Sequence, residues 1–303
     1  MFFVVIFINI MKIKIFLFFF FFISCADKKF IIELDDWKVR RIDALVSNDG
    51  YLNLAGLFLI QPGYYTIGSS KLNDFVFPSE FPSEFGKIIV KDSIISFEYF
   101  FDVKFNDSTI VRNISFNILD KNNYFSWNEF QWFIHNDPGV QAIRLRNLNH
   151  PMLQKKPEIE FFQPDENMII KGKFIQYDEP KERQSINIIG SQFKEDIPGS
   201  INFKIKDKSF SLEPTIASSG NFFIVFADQT TGKESYGGGR FLYVNPPDDR
   251  GNVVINFNKS YNPPCVFTSF TTCPIPTIAN TLNVRINAGE KMYKGQLYSS
   301  IYE

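Results

Sequence analysis

The residues best suited to chemistry gather in the last third of the chain. Tyr236-Gly237-Gly238-Gly239-Arg240 sets three glycines before an arginine, an arrangement in which bare backbone amides can approach an anion while the guanidinium pairs with it. A phosphate loop of the usual kind adds Lys-Ser or Lys-Thr and then a helix. Neither follows here, so a glycine hairpin entering a strand at Phe241 to Val244 competes with the ligand reading. Further on, Asn258, Tyr261, Asn262, Asn280, Glu290 and Lys291 occupy a stretch stiffened by Pro263, Pro264, Pro274 and Pro276. Rigid loops of this kind hold functional groups on a scaffold, and they also serve simply to cross the end of a barrel. In the functional reading Glu290 is the acid or base, Lys291 or Arg240 stabilises charge, and the remaining polar groups bind ligand.

Other chemistries have thinner support. A nucleophilic Cys265 needs a base, normally histidine, and the chain holds only His135 and His150, both in its first half. Glu160, Asp178, Asp228 and Glu290 could supply a carboxylate pair for glycoside hydrolysis, but nothing in their spacing sets a separation. Two histidines are too few to imply a metal centre, and no cofactor is expected. Cys265 and Cys273 have seven residues between them, and in an oxidising compartment they are expected to pair as a disulfide worth about 2–3 kcal/mol.

The compartment follows from Cys25. Lys12 and Lys14, an apolar run from Ile15 to Ile23 and Ser24 precede it, which is a basic region, an apolar region and a small residue at a cleavage point. Residues 1–24 thus read as a lipoprotein signal peptide, with Cys25 the lipidated N-terminus and the chain held at the membrane by that lipid on the periplasmic or surface side. A transmembrane anchor is the alternative, since about 20 apolar residues cross a bilayer; Asn9, Lys12 and Lys14 interrupt such a span. Met11 is a second candidate start.

Removing residues 1–24 takes two lysines and no acids from the 32 basic and 33 acidic residues, leaving 30 and 33 and a net charge of −3. That balance gives no electrostatic reason to bind nucleic acid. The 36 phenylalanines, with many isoleucines and tyrosines, favour strands. Residues 25–50 hold the lipidated cysteine, a linker and one helix, where Trp37, Arg41, Ala44 and Leu45 follow helical spacing and Asn48-Asp49-Gly50 supplies a stop. The helix is expected near Asp35 to Val46, packed across the first β layer. After Gly50, short apolar runs such as Ile88–Val90, Ile94–Phe101, Ile110–Ile118 and Phe130–His135 alternate with turn residues. Further runs follow at Ile159–Phe162, Met168–Tyr177, Ser185–Ile189, Ile201–Ile205, Phe222–Phe226, Phe241–Val244, Val253–Phe257 and Leu282–Ile286. The fold class is mainly β, with antiparallel sandwich or barrel modules over 51–150 and 151–303.

The strings Gly237-Gly238-Gly239-Arg240-Phe241-Leu242, Phe257-Asn258-Lys259-Ser260-Tyr261-Asn262-Pro263-Pro264-Cys265, Thr272-Cys273-Pro274-Ile275-Pro276 and Ala288-Gly289-Glu290-Lys291 resemble the bacterial and archaeal domain of unknown function 1684 family. The likeness runs upstream through Trp37, Gly56-Leu57, Ile67-Gly68 and Asn73-Asp74 and implies no established activity. Gln141 and Asn147 depart from a family arginine and aspartate around Arg144 and Arg146, and Asn256 from a family aspartate. A weaker likeness, carried by Tyr65 to Pro78 and applied to residues 52–148, is to forkhead-associated sandwiches. Their phosphothreonine site uses an arginine where Ser69 stands here and a later Ser–His pair, so the resemblance implies the sandwich without phosphopeptide binding.

The sequence thus implies an envelope lipoprotein that binds a small polar or anionic ligand through its C-terminal module. A hydrolase using Glu290 and a structural envelope component are the alternatives.

Overall fold

The computed structural model describes residues 28–303; the segment expected to be a signal peptide, 1–24, and Cys25 lie outside them. Strand outweighs helix, 45% against 14%, as the alternating apolar runs predict. Residues 28–46 form helix α1, and among the described residues no helix is long and apolar enough to cross a membrane.

The first nine strands make one sheet: β1 (Leu54–Leu59), β2 (Gly63–Gly68), β3 (Phe75–Val76), β4 (Gly86–Lys91), β5 (Ile94–Phe105), β6 (Thr109–Asn117), β7 (Tyr124–Trp127), β8 (Phe130–Asp137) and β9 (Val140–Asn147). Their order is β1-β9-β8-β7-β5-β4-β2-β3, with β6 beside β5. Most of its phenylalanines fill the core it wraps around, with Phe100 and Phe101 left outside. Phe77, Phe85, Phe97, Phe125 and Phe130 are buried around Trp132, whose indole N–H donates to the Tyr99 hydroxyl at 3.0 Å. Edge and offset contacts between these rings, such as Phe77 on Phe81 at 5.0 Å, add to the hydrophobic gain. Strand β9 lies between β1 and β8. It sets Arg144 opposite Leu57 and Phe133, and Arg146 opposite Leu54 and Gln131.

The second half builds two smaller sheets. One has the order β12 (Lys208–Leu212), β11 (Gln192–Ile205), β10 (Ile169–Ile186), β16 (Asn252–Asn256); the other has β13 (Thr215–Ile216), β14 (Phe222–Phe226), β15 (Arg240–Val244). Ile201, Ile224, Phe226, Leu242, Ile255 and Phe257 share the core between them. The run read as Met168–Tyr177 and the start of the one read as Ser185–Ile189 belong to one long strand, β10, whose pairing slips between Gln176 and Lys181; Asn187 to Ile189 lie beyond its end. Pro180 lies in that slip, where a proline cannot donate to the ladder and a bulge absorbs it.

Three local expectations are corrected. Leu282–Ile286 is not a strand: Leu282 and Ile286 are buried, but the Leu282 amide donates to the Ala227 carbonyl and the Ile286 amide to the Asp228 carboxylate, so no continuous ladder forms. Ile159–Phe162 makes only a single bridge, Phe161 to Glu290. Helix α1 leaves the first β layer and packs on the second half, with Trp37 edge-on to Phe161 and Leu45 clustered with Leu52, Val266, Phe267 and Tyr298.

The two halves interlock. Residues 298–301 form a short turn whose end returns to the first sheet, where the Asn147 amide donates to the Tyr302 hydroxyl at 2.8 Å. His150 joins the same seam, with Nε2 donating to the Tyr298 carbonyl and Nδ1 accepting from the Met152 amide.

Candidate functional site

Most of the polar cluster expected to bind ligand converges, but into a closed brace. Gly239 adopts φ +82°, with the Phe226 carbonyl and Pro276 so near that a side chain there would collide. The backbone thus turns Arg240 inward. Arg240 is fully buried, pairs with Asp228 at 3.0 Å and donates to the carbonyls of Ile286 and Ala288. Gly289 is likewise left-handed, at φ +82°, against Ser260, and it delivers Glu290 into the interior. The Glu290 carboxylate accepts the Asn262 amide at 2.7 Å and the Arg41 Nε at 3.2 Å. Burial pushes its pKa up, opposed by Arg41 and by the Asn262 hydrogen bonds.

The asparagines serve the backbone in the same way. Asn258 accepts from the Asp165 N–H and donates to the Asp165 carbonyl; Asn280 does the same to Glu213. Asn262 donates to the Lys291 carbonyl, and the Lys291 ammonium sits over the Phe162 ring at 5.5 Å. Irregular loops inside a core need every peptide group paired, and these side chains stand in for missing strand neighbours. None of Arg240, Asn258, Asn262, Asn280, Glu290 and Lys291 reaches the open cavity described next; Tyr261 does.

That cavity, of about 590 Å³, opens where α1, the end of the first sheet and the C-terminal loops meet. Helix α1 contributes Trp37, Arg40 and Arg41, strands β8 and β9 contribute His135, Asp137 and Arg144, and the loop after Pro264 contributes Thr271 to Pro274. Arg144 and Arg146 lie two apart on β9 and fare differently. Arg146 donates to the carbonyls of Asn48, Asp49 and Gly50, which close the end of α1, and to Asn53 Oδ1 at 2.7 Å. Arg144 is only 6% exposed, yet its Nε is buried with no hydrogen-bond partner. The nearest carboxylate, Asp137, is occupied by His135 Nε2 at 2.7 Å and the Thr272 hydroxyl at 2.8 Å. Burial pushes the Arg144 pKa down, with Asp137 opposing.

Cys265 and Cys273 are free thiols in the structure, not the expected disulfide. They stand side by side, with the Cys265 amide donating to Cys273 Sγ at 3.1 Å. The hydrogen bond to Cys273 and burial push the Cys265 thiol up. Burial also works against a Cys273 thiolate, but bonds from Cys265 and Thr271 and the charge of Arg144 more than offset it, so its pKa falls. Of the two, Cys273 faces the cavity.

Arg144, the residue that sequence reasoning passed over, carried one signal. The run Ala142-Ile143-Arg144-Leu145-Arg146 alternates arginine with apolar residues, and every position in it is buried, so each arginine there must find a partner.

Comparison with known families agrees with the signature strings. Residues 155–291 match the model of DUF1684, described as a protein of unknown function. The DUF1684 segment supplies the aromatic wall and the cysteine loop of the cavity, while Arg40, Arg41 and Arg144 come from the chain before it. Among solved structures, a solution NMR structure of an uncharacterized protein from Haloarcula marismortui is 24% identical, with 46% of this chain and 80% of that chain covered at a TM-score of 0.38. No curated protein matches the chain.

Proposed function

We propose that this chain is an envelope lipoprotein that binds a small ligand through an anionic group, and that the ligand sits in the cavity between the two halves with Arg144 as its principal contact. The observation that supports this is Arg144 itself, a buried cavity-lining arginine whose Nε has no hydrogen-bond partner and whose other nitrogens, unlike those of Arg240, are not engaged by a carboxylate or by backbone carbonyls among the described residues. A buried charge whose nearby carboxylate is already bonded to other groups is costly, and an anion entering the cavity would supply a direct partner. Arg146 is the internal comparison: it lies two residues on along the same strand, and both of its terminal nitrogens donate to protein oxygens.

The test is calorimetry and thermal unfolding of the wild type and Arg144→Met with inorganic phosphate and acetate as probes. At 100 times its Kd, a bound ion stabilises the folded state by about 2.7 kcal/mol. The wild type is expected to show such a gain and Arg144→Met at least a tenfold weaker affinity, while the ligand-free variant is as stable as the wild type or more so. Equal stabilisation of both proteins, or a large loss of stability in ligand-free Arg144→Met, would refute the site.

Anchoring belongs to the same reading. A lipid on Cys25 is three residues from the described start of α1, at most about 11 Å of extended chain, so the helix that carries Arg40 and Arg41 would stand at the bilayer surface. In that oxidising compartment Cys265 and Cys273 would close by exchange with an envelope disulfide. Mass spectrometry of non-reduced protein from membranes is expected to show an acylated peptide beginning at Cys25 and a Cys265–Cys273 crosslink. An unmodified N-terminus upstream of Cys25 counts against the anchor, and two freely alkylated thiols count against the bond.

A further inference from the structure

The cavity that Arg144 lines is aromatic to a degree that a bare anion does not require. Phe223, Phe241, Tyr243 and Tyr261 all line the cavity and touch one another: Phe223 packs on Tyr243 at 5.1 Å and edge-on to Phe241 at 5.0 Å, and the Tyr243 and Tyr261 planes lie 20° apart. Tyr243 is 50% exposed although Leu242 and Val244 on either side of it are buried. The Arg41 guanidinium lies on the Tyr261 ring at 4.5 Å and is held there by Glu290 and the Asn262 carbonyl. Its charge is already balanced, so Arg41 extends the flat wall more than it adds to the anion site.

Size points the same way. A water molecule takes about 30 Å³ in the liquid, and a phosphate fills only a few such volumes. Most of a 590 Å³ cavity would then hold water against exposed ring faces. Cavities of about 300–1,000 Å³ suit ligands the size of a small organic molecule.

From the exposed ring of Tyr243, the aromatic rings packed around it and the guanidinium of Arg144 in the same cavity, we infer that the ligand is a flat ring bearing an anionic group, with the ring against Tyr243 and Tyr261 and the anion on Arg144. This rests on the anion reading of the cavity. Either a phosphate or a carboxylate satisfies the guanidinium, since both accept two parallel N–H donors. Aromatic stacking contributes about 0.5–1.5 kcal/mol beyond simple burial, which makes the ring a determinant of choice between ligands.

The experiment compares affinities for inorganic phosphate, phenyl phosphate and hexyl phosphate, and for acetate and benzoate, on the wild type, Tyr243→Phe and Tyr243→Ala. Phenyl phosphate is expected to bind at least tenfold tighter than inorganic phosphate and tighter than hexyl phosphate, or benzoate likewise over acetate; which pair shows the gain identifies the anion. Tyr243→Phe keeps the ratio of aryl to simple anion, and Tyr243→Ala brings it towards one. Simple anions binding with no aryl preference, or hexyl phosphate matching phenyl phosphate, would overturn the ring and leave the anion site standing. Failure of every anion to bind would overturn both.

Discussion

Asp228→Ala is expected to lower the stability of the fold by about 3–5 kcal/mol, the cost of leaving one member of a buried ion pair alone. Both side chains of the Asp228–Arg240 pair are sealed from solvent, and the Arg240 guanidinium lies among the Phe226 and Phe162 rings. The carbonyls of Ile286 and Ala288 would still accept from it, but carbonyl dipoles do not replace a carboxylate charge. Asp228 also accepts the amides of Thr230 and Ile286, so its loss frees two more buried donors. Since a domain is stable by about 5–15 kcal/mol in all, the variant stands near the edge of folding. Chemical denaturation measures the change, and a loss under about 1 kcal/mol would sink the account. The double variant Asp228→Leu/Arg240→Met is expected to cost less than Asp228→Ala alone, because no charge is then left buried.

Glu290→Ala follows the same logic at the foot of α1, with an expected loss of about 3–5 kcal/mol. It strips Arg41 of its carboxylate and the Asn262 amide of its acceptor, and so loosens the contact that docks the helix. The acidity of Glu290 adds a second signature. Burial raises its folded pKa above the ordinary 4.5, so the folded protein takes up the proton more readily than the unfolded chain. Its contribution is then fully present below about pH 4.5 and is lost as the pH rises through the folded value. Glu290→Gln stays neutral and keeps an acceptor for Asn262. It is expected to cost less than Glu290→Ala and to lack that decline, which denaturation at a series of pH values would show. A decline of the same size in Glu290→Gln would assign it to another group.

The strands were legible because their apolar residues alternate, and burial on one face enforces that period. Ile88 and Val90, or Phe222, Ile224 and Phe226, could be placed from sequence for that reason. The run Leu282–Ile286 has the same period and fails as a strand because no neighbouring backbone offers a ladder, a fact held in tertiary structure alone. The site was less legible. Arg240, Asn258, Asn262, Asn280 and Glu290 stand out as polar residues in signature strings, and side chains that brace an irregular core look the same in sequence as side chains that meet a ligand. The cavity residues come from α1, from β8 and β9, from β14 and β15, and from the loops that carry Tyr261 and Thr271 to Pro274. Their proximity depends on how α1 docks, and the helical spacing of Trp37 and Arg41 does not say against which layer. Tyr261 was legible for the cavity and Arg144 was not, since one lay inside a distinctive string and the other inside an ordinary strand.

The seam that carries Tyr298 and Tyr302 back to Asn147 and His150 has a consequence for the order of events during synthesis. The first sheet emerges from the ribosome more than 150 residues before the turn that caps its open end. Until that turn arrives, Asn147 and His150 at the rim of the sheet lack their partners. Vectorial folding can therefore complete the N-terminal sheet early, whereas the seam that ties that sheet to the second half closes only once residues 298–302 are made, so a chain cut short before Tyr298 would carry every cavity residue but lack the clasp on Asn147 and His150.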